Sequence, residues 1–437
     1  MTLFGSEGEV KLMVLDPRHF HAALIQKTMY DQVSPIVYVF TPAEPDLDDY
    51  LKRIKRFNTR AENPTHWKEK VYTGPDYLEK MLEEKPGNVM ITAGNNKKNA
   101  EYIKATVDAG INVLCDKPMC IDQEGWQLLK TTFESAEKTN VLLSDIMTAR
   151  YEITNILQKM LANNPEVFGN LQKGTPTNPS VIKESVHHLF KYVTGDPIKR
   201  PARFFDVTQQ GEGIVDVVTH LVDLVMWECF PEQIIDYTTD IELLSAKHWP
   251  TMVTREQFEQ VTGLPDFPDY LRDKLDENGV LPYYGNGEII YKLKGVHVRV
   301  SVRWDFEAPT GTGDTYCSIM KGSKANFIIR RGDKQNYQPE LYAKAAEGIS
   351  CKILDDVITK AIADLQSSYP GVKRELEGHN WHVLIPEQYR VGHEAHFGQV
   401  TEMYLRFLTD GELPDWEVPN TIAKYYTTTK ALELARQ

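Results

Sequence analysis

Residues 111–119 read INVLCDKPM, an apolar run that stops abruptly at an acid, a base and a proline. The run 111–115 suits a strand buried on both faces, because half-buried strands alternate instead. Just before it, residues 97–109 carry Ala100, Ile103 and Val107 at helical spacing, and Gly110 stands where a C-terminal cap belongs. Just after it, Asp122 can cap a helix bearing Trp126, Leu129 and Phe133, and residues 141–144 give a further strand. Toward the N-terminus, strands are predicted over 89–92, 36–40 and 10–15. Between them lie a short amphipathic helix with Tyr77, Leu78, Met81 and Leu82, and a helix placing Ala22, Ile25 and Met29 on one face. Such β-α succession predicts a parallel sheet covered by helices on both faces, with ligands beyond the carboxyl ends of the strands.

The first 150 residues are therefore expected to form a Rossmann-like domain. From Tyr151 the pattern changes. A loop-rich stretch over 163–179 precedes an apolar helix over 214–227, and a loop-rich insertion is expected over 231–287. Then Val296, Val298, Val300, Val302, Trp304 and Phe306 alternate with His297, Arg299, Ser301, Arg303 and Asp305, the mark of a half-buried strand. Residues 288–293 precede it across a Lys294-Gly295 turn, and strands over 316–320 and 325–329 can follow. The expected fold is α/β, with an α+β second domain at 151–437 built on an open antiparallel sheet. No internal repeat is found.

A chain of 437 residues exceeds what one core usually supports. Its net charge of -13 argues against duplex nucleic acid as a partner, since phosphate binding needs a dense cationic footprint. The five cysteines are odd in number and lack CxxC spacing, so neither a disulfide framework nor a zinc knuckle is indicated. No apolar stretch reaches the length of a membrane span. The N-terminus lacks a signal-peptide core, so the cytoplasm is expected, or the periplasm if an export leader has been removed.

Lys117 should project at the carboxyl edge of the sheet, where it can donate to a substrate hydroxyl; the Lys117-Pro118 bond is a candidate for the cis form. The helix over 214–227 is apolar around most of its circumference. Asp216, Thr219, His220 and Asp223 interrupt it as one narrow polar stripe, suited to a cleft wall. Asp216 and His220 can meet at i, i+4, which would raise the basicity of the imidazole. The first strand ends in DPRHFHA, without glycine. Its loop leads into a helix N-terminus, and Arg18 beside Pro17, His19 and Phe20 could meet a phosphate. Thr41 stands at the second strand's tip, with Glu44 and Asp46 close behind. Ala93, Gly94 and Asn95 follow the strand at 89–92, where Gly94 allows a ligand to approach. His187 and His188 could line the same cleft as the polar stripe. His393 and His396 have i, i+3 spacing but no evident third ligand, so no metal is expected.

Together, the β-α succession, NVLCDKPM, the helix GIVDVVTHLVDL and the later antiparallel sheet resemble the Gfo/Idh/MocA family along nearly the whole chain. The resemblance implies NAD or NADP as cofactor. Asp116, Lys117 and Pro118 stand at the family's Glu-Lys-Pro motif, and Asp216 and His220 at its Asp-x-x-x-His helix. It implies catalytic roles for Lys117, Asp216 and His220. It implies cofactor contacts from Pro17, Arg18, His19, Phe20, Thr41, Ala93, Gly94, Asn95, Asp116, Lys117 and Arg150. Substrate contacts are expected from His187, His188, Thr219 and Asp223. The expected reaction is oxidation of a secondary alcohol on a sugar, cyclitol or glycoside, in a homodimer or homotetramer. Alternatives are a redox-neutral NAD-dependent glycoside hydrolase or lyase, and a non-catalytic sugar sensor. DPRHFHA replaces the family's glycine-rich turn.

Overall fold

The computed structural model describes all residues except 1–5, 7, 43–44 and 194–195, so Glu44 lies outside the described residues. The chain divides into two compact units, Met1–Thr148 with Gly392–Tyr426, and Ala149–Val391 with Thr427–Gln437. The expected boundary near residue 150 recurs, but residues 392–426, expected with the second domain, group with the first unit.

The first unit holds six parallel strands: β1 (Leu12–Leu15), β2 (Ile36–Thr41), β3 (Lys68–Thr73), β4 (Val89–Thr92), β5 (Asn112–Asp116) and β6 (Leu143–Ile146), in the order 3-2-1-4-5-6. All four residues of β1 and of β4 are buried, which is why their sequences run apolar without alternation. Strand order reverses between β1 and β4, so the loops leaving these strands flank the crevice where such sheets take ligands. The helix after β1 is short: α1 (His21–Leu24) continues only as a 3-10 turn over Ile25–Lys27. The long helices are α2 (Pro45–Thr59), α4 (Asn96–Asp108) and α5 (Gln123–Thr139), with α3 (Tyr77–Glu84) between the first two. Asp122 caps α5 as expected, accepting from the amide of Gly125 at 2.8 Å.

The segment that returns to this unit contains a helix over His393–Asp410. It packs on α1 and β6, and its Tyr404 hydroxyl donates to the Leu142 carbonyl at 3.1 Å. Farther on, the Lys424 ammonium meets the Asp145 carboxylate of β6 at 2.8 Å with both side chains 1% exposed.

The second unit is built on nine strands. They are β7 (Val181–Phe190), β8 (Ile241–Val253), β9 (Leu281–Leu293), β10 (Val296–Glu307), β11 (Thr315–Lys321), β12 (Ala325–Arg331), β13 (Glu340–Ala345), β14 (Lys373–Glu377) and β15 (Asn380–Leu384). Their order is 8-9-10-7-11-12-13-15-14, antiparallel except for the parallel pair β10 and β7. The sheet is thus mixed rather than purely antiparallel. Val296, Val298, Val300, Val302 and Trp304 of β10 are buried as their alternation predicts. One sheet face is covered by α6 (Ile153–Ala162) and a helix over Cys351–Leu365, around Leu157, Phe327, Ile329, Leu354, Ile358 and Trp381.

Two expectations are corrected. The insertion over 231–287 is not loop-rich: it supplies β8, the first half of β9 and two helices, Arg255–Thr262 and Asp269–Arg272. The β8 side chains are nearly all half-buried or exposed, so no apolar alternation marks the strand. The polar helix starts later than residue 214. It is α7 (Val217–Cys229), with Asp216 at its N-cap and residues 213–216 forming a turn. Gly213 makes this start possible, because a Cβ there would stand 1.8 Å from the Gly285 carbonyl oxygen of β9.

Candidate active site

At the end of β1 the chain turns through Asp16, whose φ of 49° lies in the left-handed region that a short polar side chain tolerates. Asp16 is 1% exposed, yet its carboxylate is fully engaged. Arg18 Nε donates to Oδ1 at 2.9 Å, while Asn95 Nδ2 and the Tyr102 hydroxyl donate to Oδ2 at 2.7 and 2.8 Å. The amides of Arg18 and His19 both donate to the Ala93 carbonyl at 3.1 Å, which draws this loop onto the end of β4. Gly94 permits that approach: its φ is 106°, and a Cβ would lie 2.4 Å from the His19 amide nitrogen. The close approach expected for a ligand at Gly94 is therefore made by the protein's own backbone. Gly94→Ala should cost about 2 kcal/mol or more, from backbone strain added to steric overlap, measured as a lower midpoint in urea unfolding.

Of the other expected cofactor residues, Pro17, Thr41 and Ala93 are buried, and Phe20 is partly exposed with the Arg53 guanidinium 5.3 Å from its ring. Asp116 ends β5, 4% exposed; its Oδ1 accepts from the Lys117 amide at 3.0 Å. Its Oδ2 lies 2.9 Å from His21 Nδ1 and 3.8 Å from His19 Nδ1. Burial pushes the Asp116 carboxyl up, against the opposing pull of His19 and Lys117. Lys117 is half-buried at the carboxyl edge, and its bond to Pro118 is cis, the form the sequence raised.

The helix over His393–Asp410 adds more imidazoles to this unit. The His21 ring lies 4.5 Å from Phe397 and 5.7 Å from His393. His396 is 5% exposed, and burial together with His393 pulls its imidazole down to about 4. The unfolded chain, titrating near its ordinary value, takes this proton first. The stability contributed is therefore complete above about pH 6.5 and is lost as pH falls toward 4. Unfolding free energy should drop by about 2 kcal/mol from this group between pH 7 and 5, and His396→Gln should remove that part of the pH dependence.

In the second unit, Asp216 and His220 are half-buried at the start of α7, one turn apart. The other two members of the expected stripe turn inward. The Thr219 hydroxyl donates to the Val215 carbonyl at 2.9 Å, and Thr219 is fully buried. Asp223, 3% exposed, receives Arg150 in a bidentate pair, with Nε and Nη2 each at 2.7 Å. Arg150, expected at the cofactor, thus braces α7 within the second unit.

His187 and His188 sit on β7, a strand that the sequence reading missed. Lys183 and Glu184 break its apolar pattern, and Lys183 finds its counter-ion, Glu228, 45 residues away. Both histidines meet a residue not singled out before, Asp314. The amide and Nδ1 of His188 lie 3.2 and 3.1 Å from Oδ1, while His187 Nδ1 and the Lys191 ammonium approach Oδ2. Burial alone would raise the Asp314 carboxyl, but His187 and Lys191 hold it well below the usual carboxylate range. His187 stacks on Trp304 at 4.7 Å, and Phe204 packs 5.5 Å from Trp304 and 5.6 Å from Tyr283. Arg200 lies over the Phe204 and Trp304 rings. Burial raises the Tyr283 hydroxyl, and the charge of Asp216 raises it further. The Gly213 amide, just before α7, donates to the Tyr284 carbonyl at 3.1 Å, which draws the helix start onto this part of β9.

Two family descriptions match the chain: "Oxidoreductase family, NAD-binding Rossmann fold" over residues 47–144, and "Putative oxidoreductase C terminal domain" over residues 157–436. A crystal structure of a "putative oxidoreductase" from Parabacteroides merdae is 56% identical, covering 100% of this chain and 99% of that one, with a TM-score of 0.97. The chain belongs to the Gfo/Idh/MocA oxidoreductase family. It is an NAD(P)-dependent oxidoreductase, with its NAD-binding Rossmann fold in the first unit. At lower identity this family fold recurs in KijD10, a 3-ketoreductase from Actinomadura kijaniata in complex with NADP and TDP-benzene. That structure has 13% identity, 97% coverage of both chains and a TM-score of 0.57. It recurs also in levoglucosan dehydrogenase in complex with NADH, with 11% identity, coverage of 98% and 97%, and a TM-score of 0.60. A search of curated proteins finds no match.

The donor set at the carboxyl edge of the Gfo/Idh/MocA sheet fits a dinucleotide. Arg18 and Lys117 would supply positive charge to an anion there, while the Asp16 and Asp116 carboxylates are already engaged within the loops. The bound nicotinamide supplies the hydride acceptor or donor. Among the described residues no helix is long and apolar enough to cross a membrane.

Proposed function

We propose that the protein transfers hydride between NAD(P) and a secondary-alcohol carbon of a sugar, cyclitol or glycoside. Lys117 donates a hydrogen bond to the reacting oxygen. His220 accepts the hydroxyl proton, with Asp216 favouring the imidazolium that results. The observation that carries this reading is the start of α7. There Asp216 and His220 lie half-buried, and the charge of Asp216 acts on Tyr283, which belongs to an aromatic group with Phe204 and Trp304 that Arg200 and His187 adjoin. Flat apolar rings next to charged hydrogen-bonding groups suit a polyol, which has C–H faces and hydroxyl edges. The fold's recurrence in a 3-ketoreductase and a levoglucosan dehydrogenase supports the same class.

The test is nicotinamide absorbance at 340 nm with a panel of sugars, cyclitols and glycosides, each offered with NAD and NADP. Reduction of the cofactor by a member of the panel is expected. Cleavage of a glycoside without net cofactor reduction would replace this reading by the redox-neutral one. Silence across the panel, with the cofactor bound, would remove the substrate class.

A further inference from the structure

We propose that His19, His21 and Asp116 form a binding site for one divalent transition-metal ion at the carboxyl edge of the parallel sheet. The inference concerns a second property of the first unit and does not rest on the hydride-transfer reading.

The three ligand atoms, one from each residue, lie within 4.8 Å of one another. A tetrahedral ion with bonds of about 2.0–2.1 Å spaces its ligands at about 3.3–3.4 Å. The separations of 2.9 Å from His21 Nδ1 and 3.8 Å from His19 Nδ1 to Asp116 Oδ2 bracket that figure. Shifts of about half an ångström would bring each imidazole to that spacing from the carboxylate oxygen. Both imidazoles are thus turned toward one carboxylate oxygen.

The surroundings resemble those of a built metal site. Asp116 Oδ1 is held by the Lys117 amide at 3.0 Å, which fixes the plane of the carboxylate and presents Oδ2 to the imidazoles. The His19 and His21 rings meet edge to face at 3.9 Å, and Phe397 packs on His21 at 4.5 Å, giving one apolar wall. Two imidazoles and one carboxylate suit a first-row divalent cation rather than magnesium or calcium, which prefer all-oxygen sets. Three protein ligands leave at least one position open for water or an anionic oxygen.

Metal-stripped full-length protein titrated with Co2+ should show saturable 1:1 binding and visible ligand-field absorption, displaced by Zn2+. His19→Gln, a change at a partly exposed side chain, and His21→Ala should each weaken Co2+ binding at least tenfold. Thermal melts and NAD(P) calorimetry on the same samples report folding and cofactor binding separately. Absence of saturable 1:1 binding to the wild-type protein overturns the site, as does affinity unchanged in a folded His19→Gln protein. Absence of hydride transfer in the wild-type protein, with saturable Co2+ binding, would count against the catalytic assignment and leave the metal site standing.

Discussion

Alanine at Lys117 or at His220 is expected to slow hydride transfer by two to four orders of magnitude, a range typical of lost proton-transfer groups. That corresponds to about 3–5 kcal/mol of transition-state stabilisation. The two variants should differ in pH dependence. Without His220 the rate should rise with hydroxide, because solvent must take the proton that the imidazole no longer accepts. Without Lys117 the profile should keep its shape at a lower level. Cofactor affinity, read by quenching of intrinsic fluorescence, should change far less than turnover. Full turnover in both variants would refute the assignment. Asp216→Asn should cost less than His220→Ala, since the carboxylate acts through the imidazole rather than on the substrate.

The largest expected stability effect lies in the second unit. Lys183 of β7 and Glu228 of α7 meet at 2.7 Å with both side chains fully buried. The Lys183 ammonium also donates to the Ser318 hydroxyl, which donates in turn to Gln158. Burial alone would push the ammonium down, but the Glu228 carboxylate outweighs it and keeps the lysine charged. Lys183→Met leaves a buried carboxylate without its counter-ion and should cost about 3–5 kcal/mol. Lys183→Met combined with Glu228→Leu should recover most of that loss, because two apolar side chains of similar volume replace the pair. Urea unfolding of the single and double variants decides the matter: equal losses in both would mean that packing, not the unpaired charge, sets the cost.

How much of this was legible in sequence follows from where the partners lie. Parallel strands buried on both faces announce themselves, and the strand read over 89–92 has the bounds found in β4. The β10 alternation was equally plain, with one face packed on the core. By contrast, β7 carries Lys183, Glu184 and Ser185 at its centre, and only a counter-ion 45 residues away makes it a strand interior. Lys117, Asp216 and His220 stood out because each interrupts an apolar run. The pairing of His21 with Asp116 was not, since 95 residues separate them and nothing local distinguishes His21 from a surface histidine. The loop after β1 lacks glycine, and Gly94 after β4, expected to admit a ligand, admits the backbone of that loop instead.

The return of residues 392–426 to the first unit has a consequence for biosynthesis. When residue 148 leaves the ribosome, all six strands of the parallel sheet exist, but the Lys424 partner of Asp145 and the Tyr404 hydroxyl that caps Leu142 do not. The whole span 149–391 must be translated first, so the nascent sheet waits with a buried-type carboxylate and an apolar edge facing solvent or a chaperone. A fragment ending at 148 should for the same reason be poorly soluble. The cofactor-binding half of this enzyme is among the first segments made and among the last to be finished.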